Sequence, residues 1–405
     1  MFLLPIKEDI GRFYKNIKMR KIALILILVL GIGCVSGENK PDVVNGDEQL
    51  NVYLPLLKGR KVGMVVNHTA VVSGVHLVDT LLSRGVNIVK IFAPEHGFRG
   101  NADAGATVAD GKDKKTGIDI ISLYGKHKKP TKEMLEGLDV IVFDIQDVGA
   151  RFYTYISTMH YVMEACAENG VRFIVLDRPN PNGDYFDGPV LQKEYRSFVG
   201  MHPIPVVHGL TVGELAYMIN GEGWLKDGIN CQLRVVPVLN YKHSDRVHVE
   251  IKPSPNLPND LAIRLYPSLC FFEATDVSIG RGTEFPFQVI GYPDSTFGSF
   301  TFTPHAIKGM AMNPPQKDKK CYGIDLRNES LDHRFTLKYL LMFRDKFPND
   351  SAMITRERWF NLLAGNNTLL QDVKNGLTEK EIRKHWQKEL EEYGKLRKRY
   401  LIYPE

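Results

Sequence analysis

The chain has 405 residues, enough for two domains, each with its own core. Its composition, 43% hydrophobic and 24% charged with no low-complexity tract, is that of a globular protein and excludes a disordered or fibrous chain. The formal charge of +5 is modest and much of the excess lies near the two ends. No basic stripe is interleaved with aromatics, so nucleic acid is excluded as the expected partner.

Lys18, Arg20 and Lys21 precede an apolar run, residues 22–32, that ends in Gly33-Cys34. The run is too short to span a bilayer comfortably and has the proportions of an export signal. Residues 1–34 are read as that signal, with Met19 as its natural start and Cys34 where a lipoprotein cysteine would stand. The expected location is therefore periplasmic or anchored to the outer membrane through Cys34. Residues 35–50 are polar and read as a linker. Cys166, Cys231, Cys270 and Cys321 have no zinc or redox spacing, and Cys166 reads as core.

A β-α alternation begins after residue 50. KVGMVVN (residues 61–67) reads as the first strand and residues 75–83 as a helix. IVKIFAPEHG (88–97) is a strand running into a turn, and IDIISLYG (118–125) is another strand. Thr131 caps a short helix ahead of VIVFDIQD (140–147). An amphipathic helix over 154–169, stopped by Gly170, leads to RFIVLDRPNP (172–181). Thr211 and Glu214 form a capping box, and QLRVVPV (232–238) closes the series. This predicts an α/β fold: a Rossmann-like, doubly wound parallel sheet over 51–240, with strand carboxyl ends sharing one ligand-binding edge. Residues 241–405 differ. Proline- and aromatic-rich loops (253–272), the run SIGRGTEFPFQVIG (278–291), a strand near 323–326 and several helices between 331 and 393 read as a smaller α+β domain closing the cleft.

The turn after the first strand has no G-x-G-x-x-G and no P-loop occurs anywhere, so no dinucleotide or other cofactor is expected. The histidines lack metal-binding spacing, and no metal is expected either. The chemistry should instead come from carboxylates. Glu95, Asp144 and Asp147 lie at carboxyl ends of strands, and Glu284 flanks the loop Gly280 to Gly282 of the second half; these are the candidate acid–base groups. Glu95 is the sharpest, because Pro94 ends its strand and Gly97 permits a turn that projects it into the crevice. Asp147 has an equal reading as a helix cap.

Candidate substrate contacts surround these acids. Asn67, His68, His96 and Arg99 follow the first two strands, and Gln146, Arg151, Tyr153 and Tyr155 follow Asp144. Asp177, Arg178 and Asn180 follow the next strand, and Arg281 stands on the opposing wall. Arginine forks and tyrosine faces suit carboxylates and sugar rings. Asp177 and Arg178 also read as a structural ion pair at a rigid turn.

The strings APEHGFRG, FDIQDVGARFYTYIST, VLDRPNPNG and SIGRGTEFPFQVIG together resemble a bacterial family once catalogued as a domain of unknown function. Its members are described as exo-β-N-acetylmuramidases of the NamZ type. The resemblance spans about Val62 to Tyr403. It implies a glycoside hydrolase that removes N-acetylmuramic acid (MurNAc) from the non-reducing end of peptidoglycan fragments, either MurNAc-GlcNAc saccharides or muropeptides. It also implies a Rossmann-like domain joined to a smaller one with the site between them, and Glu95 as the catalytic residue. Most glycosidases use two carboxyls, about 5–5.5 Å apart when retaining and about 6.5–9.5 Å when inverting. Asp144, Asp147 and Glu284 are the expected second group, in that order, unless the sugar's own acetamido group attacks. Arg178, Arg151 and Arg281 are the expected partners of the lactyl carboxylate. Two rival readings remain. One is a cell-wall amidase or deacetylase with a metal held through His68 or His96; the other is a non-catalytic muropeptide-binding lipoprotein.

Overall fold

The computed structural model describes residues 41–98, 110–348 and 353–405. The expected export signal with Cys34 lies outside the described residues, as does Arg99. Residues from Asp42 to Glu405 form one compact unit.

Seven strands make the main sheet: β1 (Lys61–Val66), β2 (Asn87–Ala93), β3 (Gly111–Lys112), β4 (Asp119–Ser122), β5 (Val140–Asp144), β6 (Arg172–Leu176) and β7 (Leu233–Val236). Their spatial order is β7-β6-β5-β1-β2-β4-β3, parallel throughout except for β3 at the edge. The chain grows outward from β1 through β2 to β4, then returns to the other side of β1 with β5, β6 and β7. That is the doubly wound order expected from the sequence, and it puts the topological switch point between β1 and β5.

Alternation along the strands explains how both faces are buried. Val65, Ile141, Phe143, Phe173 and Val175 point to one face, where the helices Tyr155–Asn169 and Val212–Gly221 pack. Val62, Met64, Val66, Val140, Val142, Ile174 and Leu176 point to the other, against Leu77, Val78 and Leu81 of the helix Leu77–Ser83. Gly170 takes the left-handed C-cap position of the helix Tyr155–Asn169 (φ 67°), which is why that helix stops where it does.

The smaller domain carries an antiparallel sheet of β8 (Val289–Tyr292), β9 (Phe300–Phe302) and β10 (Cys321–Asp325), in the order β8-β10-β9. Among the described residues, five full helices follow between Lys338 and Arg397. Phe271, Phe335, Phe360 and Trp386 join the same apolar core as Phe152 and Tyr155, so the two halves share their interior. The chain end also returns to the first sheet, where the Tyr403 hydroxyl donates to Asp177 Oδ2 at 2.5 Å.

Two expectations need correcting. The stretch read as linker enters the fold before residue 50: Val44 bridges to Leu239, Asp47 is wholly buried, and a helix follows at Leu50–Leu57. Its polar composition hid a buried carboxyl that bonds Arg178. The stretch read as proline-rich loop contains the helix Asp260–Leu269, whose start is fixed by Asn259 accepting from the Ala262 N–H. Pro267 lies in its last turn and cannot bond the Ile263 carbonyl, which accepts from Asn182 Nδ2 instead.

Candidate active site

Glu95 follows β2 directly. The Gly97 N–H donates to the Pro94 carbonyl at 3.0 Å, closing a turn in which His96 and Gly97 both have positive φ (68° and 77°). A non-glycine residue held left-handed costs about 1 kcal/mol and is retained where surrounding structure enforces it. The result is a half-buried Glu95 between buried Pro94 and His96. The Thr154 hydroxyl donates to Glu95 Oε2 at 2.6 Å. Thr154 is the N-cap of the helix Tyr155–Asn169 yet makes no side-chain cap bond, because its hydroxyl is turned to Glu95. The carboxyl therefore meets the positive end of a 15-residue helix. Tyr124, just beyond β4, hydrogen-bonds Glu95 as well, and burial together with that carboxylate pushes its phenol upward. The charge of Glu273 adds to the same effect.

The other expected site residues divide sharply. His68 bonds the Lys252 carbonyl at 2.8 Å and is pushed down by burial, with a smaller contribution from His96, which favours its neutral form. Arg281 is 19% exposed, pairs with Glu273 at 2.5 Å and stacks on Phe287. Asp147 is nearly buried: its Oδ2 accepts from the Gly149 N–H at 2.7 Å, with His208 Nε2 3.8 Å away. Tyr155 feels the charge of both Glu95 and Asp147. Glu284 is exposed.

The remaining residues, expected as ligand contacts, are buried and bonded within the fold. Asn67 is wholly buried, its Oδ1 accepting from the N–H and hydroxyl of Thr69. Gln146 uses its amide on the Asp147 and Pro179 carbonyls, and Asn180 uses its own on Leu210. The Tyr153 and Tyr155 hydroxyls both reach the Pro253 carbonyl, with their rings inside the core. Arg151 has no exposed surface, and its guanidinium donates to the carbonyls of Pro189, Ile204, Leu363 and Ala364. Asp177 is buried, accepting from Thr211, Tyr403 and the Gly213 and Arg178 N–H groups, and desolvation raises it to about 6.

Asp144 and Arg178 form a bidentate pair at 2.6 and 3.0 Å, and Asp47 takes the same Nη2 at 2.7 Å. Two acids thus share one buried cation. Burial and the Asp144 charge push Asp47 up to about 8, so it holds a proton at neutral pH. A raised acid gives stability that is complete below the unfolded value of 3.8 and lost as pH rises towards 8. At about 1.4 kcal/mol per unit, wild type should lose on the order of 4 kcal/mol through this group between about pH 5 and 8. Asp47→Asn is expected to remove that slope, so the variant gains on wild type as pH rises. Urea unfolding across that range checks it, and parallel pH profiles would refute it.

Sequence reasoning overlooked Tyr124 and took Thr154 only as a helix start. Tyr124 had a signal: it follows a strand on the same carboxyl edge as Glu95.

The comparisons with known proteins agree with this architecture. Models of exo-β-N-acetylmuramidase NamZ match the chain in two parts, the N-terminal one over residues 62–261 and the C-terminal one over 264–403. The peptidoglycan β-N-acetylmuramidase NamZ of Bacillus subtilis (strain 168) is 39% identical over 386 residues, covering 90% of this chain and 92% of that protein. Two crystal structures of DUF1343 family proteins from Bacteroides fragilis NCTC 9343 superpose closely. One, at 1.30 Å resolution, has a TM-score of 0.83 and 44% identity, covering 90% of this chain and all of that one (100%). The other, at 1.65 Å, has a TM-score of 0.79 and 31% identity, covering 89% and 99% respectively. Matches over both halves, on a sheet wound as the sequence predicts, leave one assignment: the chain belongs to the exo-β-N-acetylmuramidase NamZ family.

Proposed function

We propose that this protein is a glycoside hydrolase that releases MurNAc from the non-reducing end of peptidoglycan fragments, with Glu95 acting at the glycosidic bond. The observation that carries the reading is the setting of Glu95. It alone of the three strand-end acids first expected, Glu95, Asp144 and Asp147, is half-exposed, and it is aimed by hydroxyls from two neighbouring elements. Both Asp144 oxygens are taken by Arg178, and Asp147 is buried, with its Oδ2 on the Gly149 N–H beside His208. Glu273, partly exposed, paired with Arg281 and felt electrostatically by Tyr124, is the carboxylate best supported as the second group. Of the three arginines considered for the lactyl carboxylate, Arg281 is the one that keeps exposure and spare donors.

The product pattern tests the reaction class. Incubated with glycan strands of increasing length that begin with MurNAc at the non-reducing end, the protein should release one MurNAc per strand and stop at the GlcNAc it exposes. Free peptides, acetate or internal disaccharides as the first product would point to an amidase, a deacetylase or an endo-acting enzyme. We further propose export and a lipid anchor at Cys34, supported by the basic flank and the apolar run before it. Cys34→Ser should then move the protein from the detergent phase to the soluble fraction, and an unchanged distribution would reject the anchor.

A further inference from the structure

The tyrosines expected to stack on sugar rings, Tyr153 and Tyr155, are in the core, so any aromatic platform must be elsewhere. Tyr124 leads to it. Its hydroxyl is on Glu95, and its ring lies 6.1 Å from that of Phe198, tilted by 50°. Phe198 in turn lies nearly parallel to Tyr161 (12° between planes, centroids 6.3 Å apart). All three rings are half-buried, unlike the enclosed T-shaped pairs of the core such as Phe152 with Tyr266.

The loop that carries Phe198 is rigid at its tip. Ser197 and Gly200 exchange backbone hydrogen bonds at 2.9 and 3.1 Å, and Arg196 Nη2 donates to His160 Nε2 at 3.2 Å. A Cβ on Gly200 would fall 2.7 Å from Leu191, so the turn is packed from behind. Phe198 is thus presented at a fixed position with one face under Lys128, whose ammonium is 4.5 Å from the ring centre. Lys128 is exposed, and an exposed cation on an aromatic face holds it only weakly. A pyranose could take that face while the ammonium moves to the sugar's oxygens.

We propose that Phe198, flanked by Tyr124 and Tyr161, is the stacking platform for the sugar on the leaving-group side of the scissile bond, an uncharged N-acetylhexosamine. The assignment rests on the glycosidase reading above. An enzyme acting from a chain end must enclose the terminal sugar, and the enclosed side of Glu95 is the switch point, where Asn67, Asp147 and Tyr155 are buried. The leaving saccharide has to continue towards solvent, and the half-exposed rings of Phe198 and Tyr161, reached from Glu95 through Tyr124, are aromatic faces it can meet there.

The test separates the two sugars. Steady-state kinetics on MurNAc-GlcNAc would be measured for wild type, Phe198→Ala and Phe198→Trp, together with inhibition by free MurNAc, which fills only the terminal position. Phe198→Ala is expected to raise KM about tenfold while the inhibition constant of MurNAc stays within about twofold. Phe198→Trp should keep KM near wild type, because it restores the flat face. If MurNAc inhibition weakens in step with KM, the platform belongs to the terminal sugar and the assignment fails. An unchanged KM in a natively folded Phe198→Ala protein also overturns it. Failure of wild type itself to cleave the disaccharide would overturn the glycosidase reading together with this one.

Discussion

Glu95→Gln is expected to lower kcat/KM for MurNAc release by about a thousandfold or more, within or above the usual contribution of a positioned acid–base group. The substitution keeps the shape and can still accept from the Thr154 hydroxyl, so the fold and the turn at His96 should survive. Only the exchangeable proton and the charge are lost. Glu95→Asp tests geometry separately. It keeps the charge but draws the carboxyl back by one methylene, away from the 2.6 Å contact with Thr154. Misplacement on that scale costs about a hundredfold. Equal losses for Gln and Asp would mean position dominates, whereas activity near wild type in Glu95→Gln would remove Glu95 from the chemistry.

Arg151→Met is expected to cost stability and not affinity. Its guanidinium, with no exposed surface, ties Pro189 and Ile204 of the first half to Leu363 and Ala364 of the second. No acid pairs with it among these contacts, and burial alone lowers it to about 9. Methionine fills part of the volume and leaves those carbonyls without donors, each worth about 1–3 kcal/mol when buried and unpaired. Allowing for relaxation and added water, we expect a loss of about 4 kcal/mol or more, a large share of the 5–15 kcal/mol typical of a folded domain. Thermal unfolding should begin roughly 5 °C lower. A lactyl-binding arginine would behave oppositely, with a raised KM and an unchanged melting temperature, so the two roles are separable in one variant.

The fold was legible because its strands are short β-branched runs and its helices carry explicit punctuation. Thr131, Thr211 with Glu214, and Gly170 all cap where the sequence says. The site was legible only in outline. Three strands end in acids, and nothing local distinguishes them; what separates them is the turn geometry after each strand and the partner each acid meets. Glu95 is lifted outward by two left-handed residues, Asp144 faces Arg178, and Asp177 is surrounded by donors from Thr211, Gly213 and Tyr403. Those partners are up to 226 residues away in sequence, beyond the reach of any periodicity argument. Asp47 shows the same limit, since a polar segment that carries a buried carboxyl looks like a linker until Arg178 is placed beside it.

The central claim is cleavage of the bond on the reducing side of a terminal MurNAc. Incubating the purified protein with MurNAc-GlcNAc and with GlcNAc-MurNAc, and following products by mass spectrometry, tests it most directly. The account predicts free MurNAc and GlcNAc from the first disaccharide only, with the second left intact. Cleavage of GlcNAc-MurNAc at a comparable rate, or of neither, would contradict it.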